Sequence, residues 1–386
     1  ANRFLTTKAG ANLRALLHAD LTPVEIYDLG DTRPFQAAVL PAVTIAVRGR
    51  RDRECRFVSA YEVPAGPATE TDLYDALTAA EDSIVGHGGR CIAVEVGTLS
   101  SARGRPDQDA GSGFDPAIPW RISRPATDTW LERLGARTWR TFGEVARIRV
   151  GIKTTADRVF ISDDWEDLPR PPEPELLLDL LTHHDIAPWR IERAQHTRVL
   201  YPYRRDRSRR ITVDLREYPC AAAYLEEYRE LLTARDYLVG SGREWFEIWV
   251  PQRPDLWSEP KVVFPDISVA PRFALDRSGA VVNGDCYWMS LADIGCEQIA
   301  YLLMGVANST LGTRFYDAVC GNRLYAGRRR WITQYVARLP IPDPGTAAAG
   351  KLAALAGEFA TGSAEPDLAA LDELVAAAFG ISPPSE

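Results

Sequence analysis

The chain has 386 residues, of which 46% are hydrophobic and 10 are tryptophan, and its formal net charge is −8. This length allows two or three domains with ordinary cores, and the lack of an apolar run of ~18 residues or of a secretory signal core predicts a cytoplasmic protein with no membrane segment. The negative net charge argues weakly against nucleic-acid binding, and the local distribution of Lys and Arg is the better indicator of whether the chain binds nucleic acid.

Residues 1–100 predict an α/β unit. LRALLH has helical spacing, VEIYDLG and AVTIAV are short apolar runs, a helix is expected around residues 71–80, and CIAVEV is extended. Two or three strands do not make a stable α/β layer alone, so we expect the closing part of a larger sheet whose opening units precede residue 1. Residues 101–140 are rich in Gly, Pro and polar residues near their start, which indicates a linker or long loop.

Residues 141–344 predict one α+β domain of short aromatic-rich strands and helices. The expected strands are RVFIS, KVVFPDI and CYWMS, and the expected helical segments are residues 221–238 and 296–317. Residues 345–386 are Ala-rich and acidic, and they predict a pair of helices that packs back on the body. The six cysteines form no CxxC pair, so we expect buried thiols rather than a zinc site or disulfides.

Several segments resemble, in content and in order, the adenine-specific DNA methyltransferases with a TaqI-like C-terminal specificity domain, which occur in restriction-modification and phage-defence systems. The segments are NRFLTTKAGANLRALL, VEIYDLGDTRPFQAAVLPAVTIAV, VGIKTTADRVFI, VLYPYRRD, REWFEIW, KVVFPDIS, NGDCYWMSL, LLMGVANSTLGTRFYD, RWITQYVARLPIP and LDELVAAAFGIS. The resemblance implies an α/β remnant of a Rossmann-like methyltransferase domain, then an α+β target-recognition domain and a helical C-terminal tail.

The resemblance also implies double-stranded DNA as the partner and S-adenosylmethionine as the cofactor of the complete enzyme. The family's cofactor glycine motif and Asn-Pro-Pro-Tyr catalytic loop would precede residue 1. We therefore expect the chain alone to be inactive and to bind no cofactor, and we expect the N-terminal methyltransferase half to come from the same polypeptide or a separate subunit. Two segments resemble these motifs in their letters only. DAGSGFD (109–115) resembles the glycine motif but lacks a preceding strand and a following helix, and SPPS (382–385) resembles the catalytic loop but lacks the aromatic residue that would stack on the flipped base.

One aromatic residue is a candidate for contact with the target base. An adenine methyltransferase must extrude the base and enclose it with aromatic side chains. In the family pattern the segment that matches DTRPFQAAV supplies such a residue, and Phe35 holds that position. The alternative is that Phe35 packs between two strands.

The remaining candidates are basic. The resemblance places the GIKT turn at the DNA cleft, where Lys153 and Thr154 could meet a phosphate; the alternative is a surface turn. Residues 198–216 hold seven arginines against two aspartates, and residues 321–342 hold five arginines and no acid. From these two basic islands we expect DNA contacts from Arg204, Arg205, Arg207, Arg209 and Arg210, and from Arg323, Tyr325, Arg328, Arg329 and Arg330. The alternative for each island is a solvated charged loop.

Other chemistry is not indicated. His183 and His184 are expected to point apart and have no spaced third ligand, so no metal site is predicted. Neither a nuclease centre nor a Ser-His-Asp arrangement can be nominated. The leading interpretation is the recognition and clamping part of a site-specific adenine-N6 methyltransferase, and the alternative is a free-standing DNA-binding adaptor. An upstream coding sequence with the glycine and Asn-Pro-Pro-aromatic motifs would distinguish them.

Overall fold

A computed structural model describes residues 2–35, 39–49, 54–63, 68–100, 118–193, 195–204, 210–320, 324 and 327–381. These residues form a mixed α/β structure, as expected. The N-terminal elements are α1 (Arg3–Thr6), α2 (Ala11–Asp20), β1 (Leu21–Asp28), β2 (Ala42–Arg48), β3 (Arg56–Val63), α3 (Leu73–Thr78), β4 (Ser83–His87), β5 (Arg90–Ser100), β6 (Arg121–Ser123) and α4 (Pro125–Ala136).

The N-terminal strands form one mixed sheet in the order β2-β1-β3-β5-β4, with β6 paired to β5. β1 and β3 are parallel, and the other pairs are antiparallel. Val58, Val85 and Ile92 are fully buried against α3. Within the described residues β2 pairs only with β1, and Val43 and Ile45 on its outer face are each 46% exposed. The sheet thus has an apolar edge strand.

The central region combines short strands with single helical turns. Its elements are β7 (Arg140–Thr141), α5 (Phe142–Val145), β8 (Arg149–Val150), α6 (Asp157–Phe160), β9 (Ile161–Ser162), β10 (Leu177–Leu181), β11 (Arg198–Leu200), α7 (Pro219–Glu227), α8 (Arg229–Thr233), α9 (Asp236–Val239), β12 (Lys261–Pro265), β13 (Ile267–Ser268), β14 (Ala274–Asp276), β15 (Val281–Val282) and β16 (Cys286–Ser290). Two of its sheets have the orders β15-β10-β11-β9 and β14-β12-β16-β8.

Two details of this region differ from the sequence expectation. RVFIS is not a strand, because the Thr154 hydroxyl bonds the Asp157 carboxylate and accepts the Ala156 N–H, and this starts the helical turn α6 before the two-residue β9. The helical segment 221–238 is divided into α7, α8 and α9. Buried Arg235 precedes α9 and donates to backbone carbonyls in three places, which fixes the break between α8 and α9.

The C-terminal elements form a helical layer. They are α10 (Leu291–Ile294), α11 (Glu297–Ala307), α12 (Thr310–Cys320), β17 (Arg329–Arg330), α13 (Thr333–Val336), β18 (Pro340–Ile341), α14 (Ala347–Thr361) and α15 (Leu368–Phe379). The expected terminal helix pair is confirmed: α14 packs on α11 and on α15. Val336 and Leu339 are fully buried, and Ile332 packs against the same core.

The break between α11 and α12 has a local cause. The Asn308 side chain exchanges two hydrogen bonds of 2.9 Å with the backbone of Phe273. Ser309 then accepts the Gly312 N–H, and a Cβ at Gly312 would lie 2.0 Å from the Val306 carbonyl oxygen. Helix α11 therefore ends at Asn308, and glycine is needed at position 312, where α12 lies close to the end of α11.

The predicted burial of the cysteines is confirmed for Cys55, Cys286 and Cys320. Burial raises the pKa of the Cys55 and Cys320 thiols to about 12. The prediction is wrong for Cys296, which is exposed just before α11. Among the described residues, no helix combines the length and the apolar character that a membrane crossing requires.

A buried ion pair lies at the start of β12. The ammonium of Lys261 is fully buried, lies 2.7 Å from the Asp276 carboxylate and donates to the Trp257 carbonyl. Burial lowers the pKa of Lys261. Val262 and Phe264 face one core and Val263 the other, so β12 separates the two largest cores of the protein.

We predict that Lys261→Met lowers the free energy of unfolding by about 3 to 5 kcal/mol, because it leaves the Asp276 carboxylate buried without a counter-ion. The double variant Lys261→Met/Asp276→Leu should recover most of this loss. Arg277→Met is the matched control, since its ion pair with Glu297 is about half exposed and should contribute less than about 1 kcal/mol. Equal losses in urea denaturation for the Lys261 and Arg277 variants would refute the assignment.

A second prediction concerns pH. Burial raises the pKa of Glu173, but the backbone N–H groups of Cys220 and Ala221, at the start of α7, lower it more, and the net shift is downward. Glu173 therefore stabilises the fold above its unfolded pKa, and this contribution disappears as pH falls through the folded pKa. Glu173→Gln should cost about 1 kcal/mol at neutral pH and little in acid, where the native carboxyl is protonated. Exposed Glu175→Gln should change stability at neither pH.

Candidate nucleic-acid interface

A groove of about 370 Å³ lies between β8 and the loop that precedes the 3-10 turn Pro254–Leu256. Among the described residues its lining contains four arginines and an aromatic side chain. These residues are Arg147, Arg149, Arg210, Trp249, Val250, Pro251, Gln252 and Arg253. We call this feature the arginine groove. Arg147 and Arg149 share one face because side chains two residues apart in an extended chain point the same way.

Residues 249–253, one wall of the arginine groove, are held by bonds to three other segments. Lys153 and Val250 exchange backbone N–H···O bonds of 3.0 and 2.9 Å. The Tyr201 hydroxyl donates to the Pro251 carbonyl at 2.6 Å. The Gln252 amide donates to the Val150 carbonyl at 2.7 Å, and Gln252 has a φ of 62°, which is left-handed backbone that favours glycine. The loop is thus fixed although its backbone is strained.

A buried carboxylate ties this wall to the first basic island. Glu247 lies 3.0 Å from the Arg243 guanidinium and 3.7 Å from that of Arg210. The Tyr203 hydroxyl bonds Glu247 at 3.2 Å and accepts the Ile248 N–H at 2.8 Å. Burial raises the pKa of Tyr203, as does the Glu247 charge, so the hydroxyl stays neutral. Arg210 therefore lies at the groove beside a carboxylate that hydrogen bonds hold in place.

The groove arginines differ in how they are paired. Arg149 lies 2.5 Å from Asp293 and 5.1 Å from the centre of the Trp288 ring. Arg253 bonds Asp255; these bonds raise the pKa of Arg253 and lower that of Asp255. Arg147 is exposed, and no carboxylate of the described residues pairs with it. Its charge is available to a ligand.

Of the two predicted DNA-contacting arginines of the first island that the structure describes, one lines the groove. Arg210 lines it, and exposed Lys153 lies beside it through the bond to Val250. Arg204 is exposed and bonds Ile211 through its backbone. Thr154 is 1% exposed, and its hydroxyl is used within the protein. Three predicted residues lie outside the described part of the chain: Arg205, Arg207 and Arg209.

The described candidate residues of the second predicted island, Arg328, Arg329 and Arg330, do not line the arginine groove. Arg329 makes two bonds of 2.7 Å to Asp317, and Arg330 pairs with Asp266. Both side chains stabilise the β13–β17 pair. Arg328 is exposed and has no carboxylate partner among the residues with described positions. Arg323 and Tyr325 fall outside those residues.

Phe35 lies in the loop after β1 and is 61% exposed. It does not pack between two strands, so that alternative is wrong. The loop is anchored: Asp28 accepts hydrogen bonds from the Asn2 amide and the Tyr61 hydroxyl, and the Asp31 carboxylate accepts the Glu62 N–H. The Phe35 ring is thus exposed on a loop whose first residues are hydrogen-bonded to the sheet.

The histidine pair differs from expectation. The rings of His183 and His184 do not point apart, since their centres are 3.8 Å apart, and His183 bonds Asp285. In the described part of the chain, no three His, Cys, Asp or Glu residues are grouped to hold a metal ion.

Sequence reasoning found only one of the four arginines that line the groove, Arg210, and missed Arg147, Arg149 and Arg253. Arg147 and Arg149 alternate along RIRV, a spacing of two that signals a shared face of a strand, and Arg253 and Trp249 flank VPQ. Neither the Arg147/Arg149 pair nor the Trp249/Arg253 pair is long enough to be recognised as a binding motif in a chain with many arginines. Only the long-range pairing of residues 150–153 with residues 250–252 brings them together.

Comparison with known proteins adds the family relationship. No family model matches the chain. The Type II methyltransferase M.BanIII of Aneurinibacillus aneurinilyticus is 32% identical over 357 residues, which are 89% of this chain and 60% of that protein. The Type II methyltransferase M.PaeR7I of Pseudomonas aeruginosa is 25% identical over 348 residues, which are 89% of this chain and 54% of that protein. The chain is homologous to Type II methyltransferases and spans little more than half their length.

The fold is also found in a solved structure of the Type IIL restriction-modification enzyme MmeI in complex with DNA. The TM-score is 0.54 at 13% identity, and the match covers 100% of this chain and 46% of that one. At this identity the likeness shows a shared fold.

We predict that Tyr203→Phe lowers the free energy of unfolding by about 1 to 3 kcal/mol, because it leaves the buried Ile248 N–H without its acceptor. Tyr237→Phe is the control, since Tyr237 is 49% exposed and no described residue bonds its hydroxyl. Chemical denaturation measures both variants. A Tyr203→Phe protein as stable as the Tyr237→Phe protein would contradict the proposed anchoring of the groove wall.

Proposed function

We propose that this chain is the DNA target-recognition and clamping part of a site-specific adenine-N6 DNA methyltransferase in a restriction-modification or phage-defence system. The observation that carries the proposal is the arginine groove, with four arginines on its lining and Lys153 at its side. Homology to Type II methyltransferases supports it independently. Double-stranded DNA is the proposed partner.

The charge balance of the groove favours a polyanion. Five arginines lie in or behind its walls (Arg147, Arg149, Arg210, Arg243 and Arg253), and the carboxylates that pair with them are Glu247, Asp255 and Asp293. The cations are in excess even before Lys153 is counted. Arginine binds phosphate through parallel N–H···O bonds, and release of counter-ions makes such binding favourable at low salt.

The second proposed contact is Phe35. An extruded adenine needs an aromatic wall, and Phe35 offers an exposed ring on an anchored loop. Arg204 and Arg328 are also proposed as backbone contacts, because both are exposed. Arg328 has no carboxylate partner within the described ranges, whereas the charge of Arg204 acts on Asp214. Thr154, Arg329 and Arg330 are weaker candidates, because their polar groups already have partners within the protein.

Methyl transfer is proposed to depend on residues outside this chain. The 386 residues contain no Asn-Pro-Pro-aromatic loop. S-adenosylmethionine, the methyl donor of the complete enzyme, would need a glycine-rich turn from a strand into a helix. β6 enters α4 through Arg124 and Pro125 without glycine. The residues of this turn do not fit the cofactor, and we propose that it is bound by an N-terminal half in the same polypeptide or in a separate subunit.

We predict that the chain binds a labelled DNA duplex with a log–log salt slope of roughly −4 to −5, as expected for four to six neutralised phosphates. Arg147→Ala and Lys153→Ala should each weaken binding and reduce the slope by about 1, because each removes one exposed cation at the groove. Fluorescence anisotropy across a salt series measures both quantities.

Lys351→Ala is the matched control, since Lys351 is an exposed lysine on α14, away from the groove. A slope that stays the same in the groove variants and in the control would exclude the groove as the DNA site. A parallel transfer assay with tritiated S-adenosylmethionine should show no methylation, and methylation would overturn the assignment of catalysis to residues outside the sequence.

A further inference from the structure

We propose that Arg253 reads a guanine of the bound DNA and that Asp255 is the positioning residue that aims it. This inference rests on the proposed function, because it assigns a role within the same groove. It goes further by separating Arg253, which would select sequence, from Arg147, which would hold the backbone.

The geometry of the pair leaves the required donors available. Nε of Arg253 lies 3.2 Å from Oδ1 of Asp255, and Nη2 bonds Oδ2. These two bonds occupy one edge of the guanidinium. Three of its five N–H groups remain, at Nη1 and at the end of Nη2. The Nη1–Nη2 end of the guanidinium can therefore donate two parallel hydrogen bonds to O6 and N7 of guanine.

The chain around Arg253 is fixed, as a reading residue requires. Gln252 is bonded to Val150 through its side chain, and Pro251 is buried. Pro254 follows directly and starts a 3-10 turn that contains Asp255. The Arg253 side chain itself is 54% exposed. It therefore projects from a rigid backbone and still reaches a ligand in the groove.

Electrostatics separates a base contact from a phosphate contact at this position. Asp255 neutralises Arg253 and would repel a phosphate placed against the pair, so a backbone contact there gains little. A base edge is uncharged, and it is recognised by the direction of the donors rather than by net charge. Arg147, in contrast, has no carboxylate partner among the described residues and suits a phosphate. The presence or absence of a carboxylate partner thus assigns Arg253 to a base and Arg147 to a phosphate.

The chain offers a matched control pair elsewhere. Arg216 bonds Asp214 through Nε and Nη2, with the same separation of two residues. This pair lies on the 3-10 turn Leu215–Glu217, does not line the arginine groove, and its arginine side chain is 90% exposed. Its chemistry is equivalent and its position is different.

The test is selection of the full chain on a duplex library with a randomised core, followed by sequencing of the bound fraction. Wild type should enrich a motif that contains a G·C pair at a fixed position. Arg253→Ala should reduce the preference for guanine at that position roughly five- to a hundredfold. Arg216→Ala should leave the motif unchanged.

Asp255→Asn distinguishes base reading by Arg253 from phosphate binding by Arg253, because the two roles predict different changes in guanine preference and in overall DNA affinity. If Arg253 reads a base, loss of the positioning carboxylate lowers the preference for guanine while the arginine remains. If Arg253 binds a phosphate, removal of a negative charge leaves selectivity intact and tightens binding to every sequence. Glu175→Gln, at an exposed carboxylate that does not line the groove, controls for the change in net charge, and circular dichroism of each variant checks that the fold is retained.

The outcomes separate this inference from the proposed function. Wild-type binding with a motif that Arg253→Ala does not change overturns guanine reading and leaves the DNA clamp standing. If the wild-type chain binds the library but enriches no sequence motif, guanine reading is likewise overturned and the DNA clamp is retained. No binding of the library at low salt overturns the proposed function, and the reading role falls with it. Uniform tightening in Asp255→Asn, with the motif retained, assigns Arg253 to the backbone and rejects the inference.

Discussion

The buried ion pair between Lys261 and Asp276 sets the register on which the central region depends. Its two charges are excluded from water, so a slip of one residue in β12 would leave the ammonium group in a core without a counter-ion. The side chains of β12 alternate between the two largest cores, with Val262 in one and Val263 in the other. β16 pairs with β12, and β8 pairs with β16 and brings Arg149 to the groove. The wall of the groove therefore depends on a pair that lies two strands away.

Pairing also explains how an acidic protein can present a basic groove. At physiological salt the Debye length is about 8 Å, so a ligand in the groove responds to the charges beside it rather than to the total of −8. Asp293 and Asp255 each hold one groove arginine, whereas buried Glu247 is shared by Arg243 and Arg210. These carboxylates fix the arginines without cancelling all of their charge. The excess that remains is local and directed into the groove.

Regular elements could be predicted from the sequence where local signals agree with packing. α14 and α15 start at Thr346 and Asp367, whose side chains cap them, and their apolar faces are visible in the sequence. α6 could not be predicted, because the hydrogen bonds of the Thr154 hydroxyl with Asp157 and the Ala156 N–H outweigh the strand preference of RVFIS. The same limit applies to the groove: composition pointed to Arg210 and resemblance to Lys153, but Arg147 becomes a neighbour only through contacts about 100 residues apart in sequence.

The strain beside the groove has a symmetrical arrangement. Lys153 and Val250 pair through their backbones, and two positions after each partner lies a residue in left-handed backbone, Thr155 at φ 59° and Gln252 at φ 62°. Each costs roughly 1 to 2 kcal/mol relative to ordinary backbone. The Arg235 guanidinium holds the carbonyl before Thr155, and the Gln252 amide holds the carbonyl of β8. Both segments therefore turn sharply away from the Lys153–Val250 backbone pair. The hydrogen bonds from Arg235 and Gln252 offset the strain of these two turns, and they leave the exposed faces of the groove clear for a ligand.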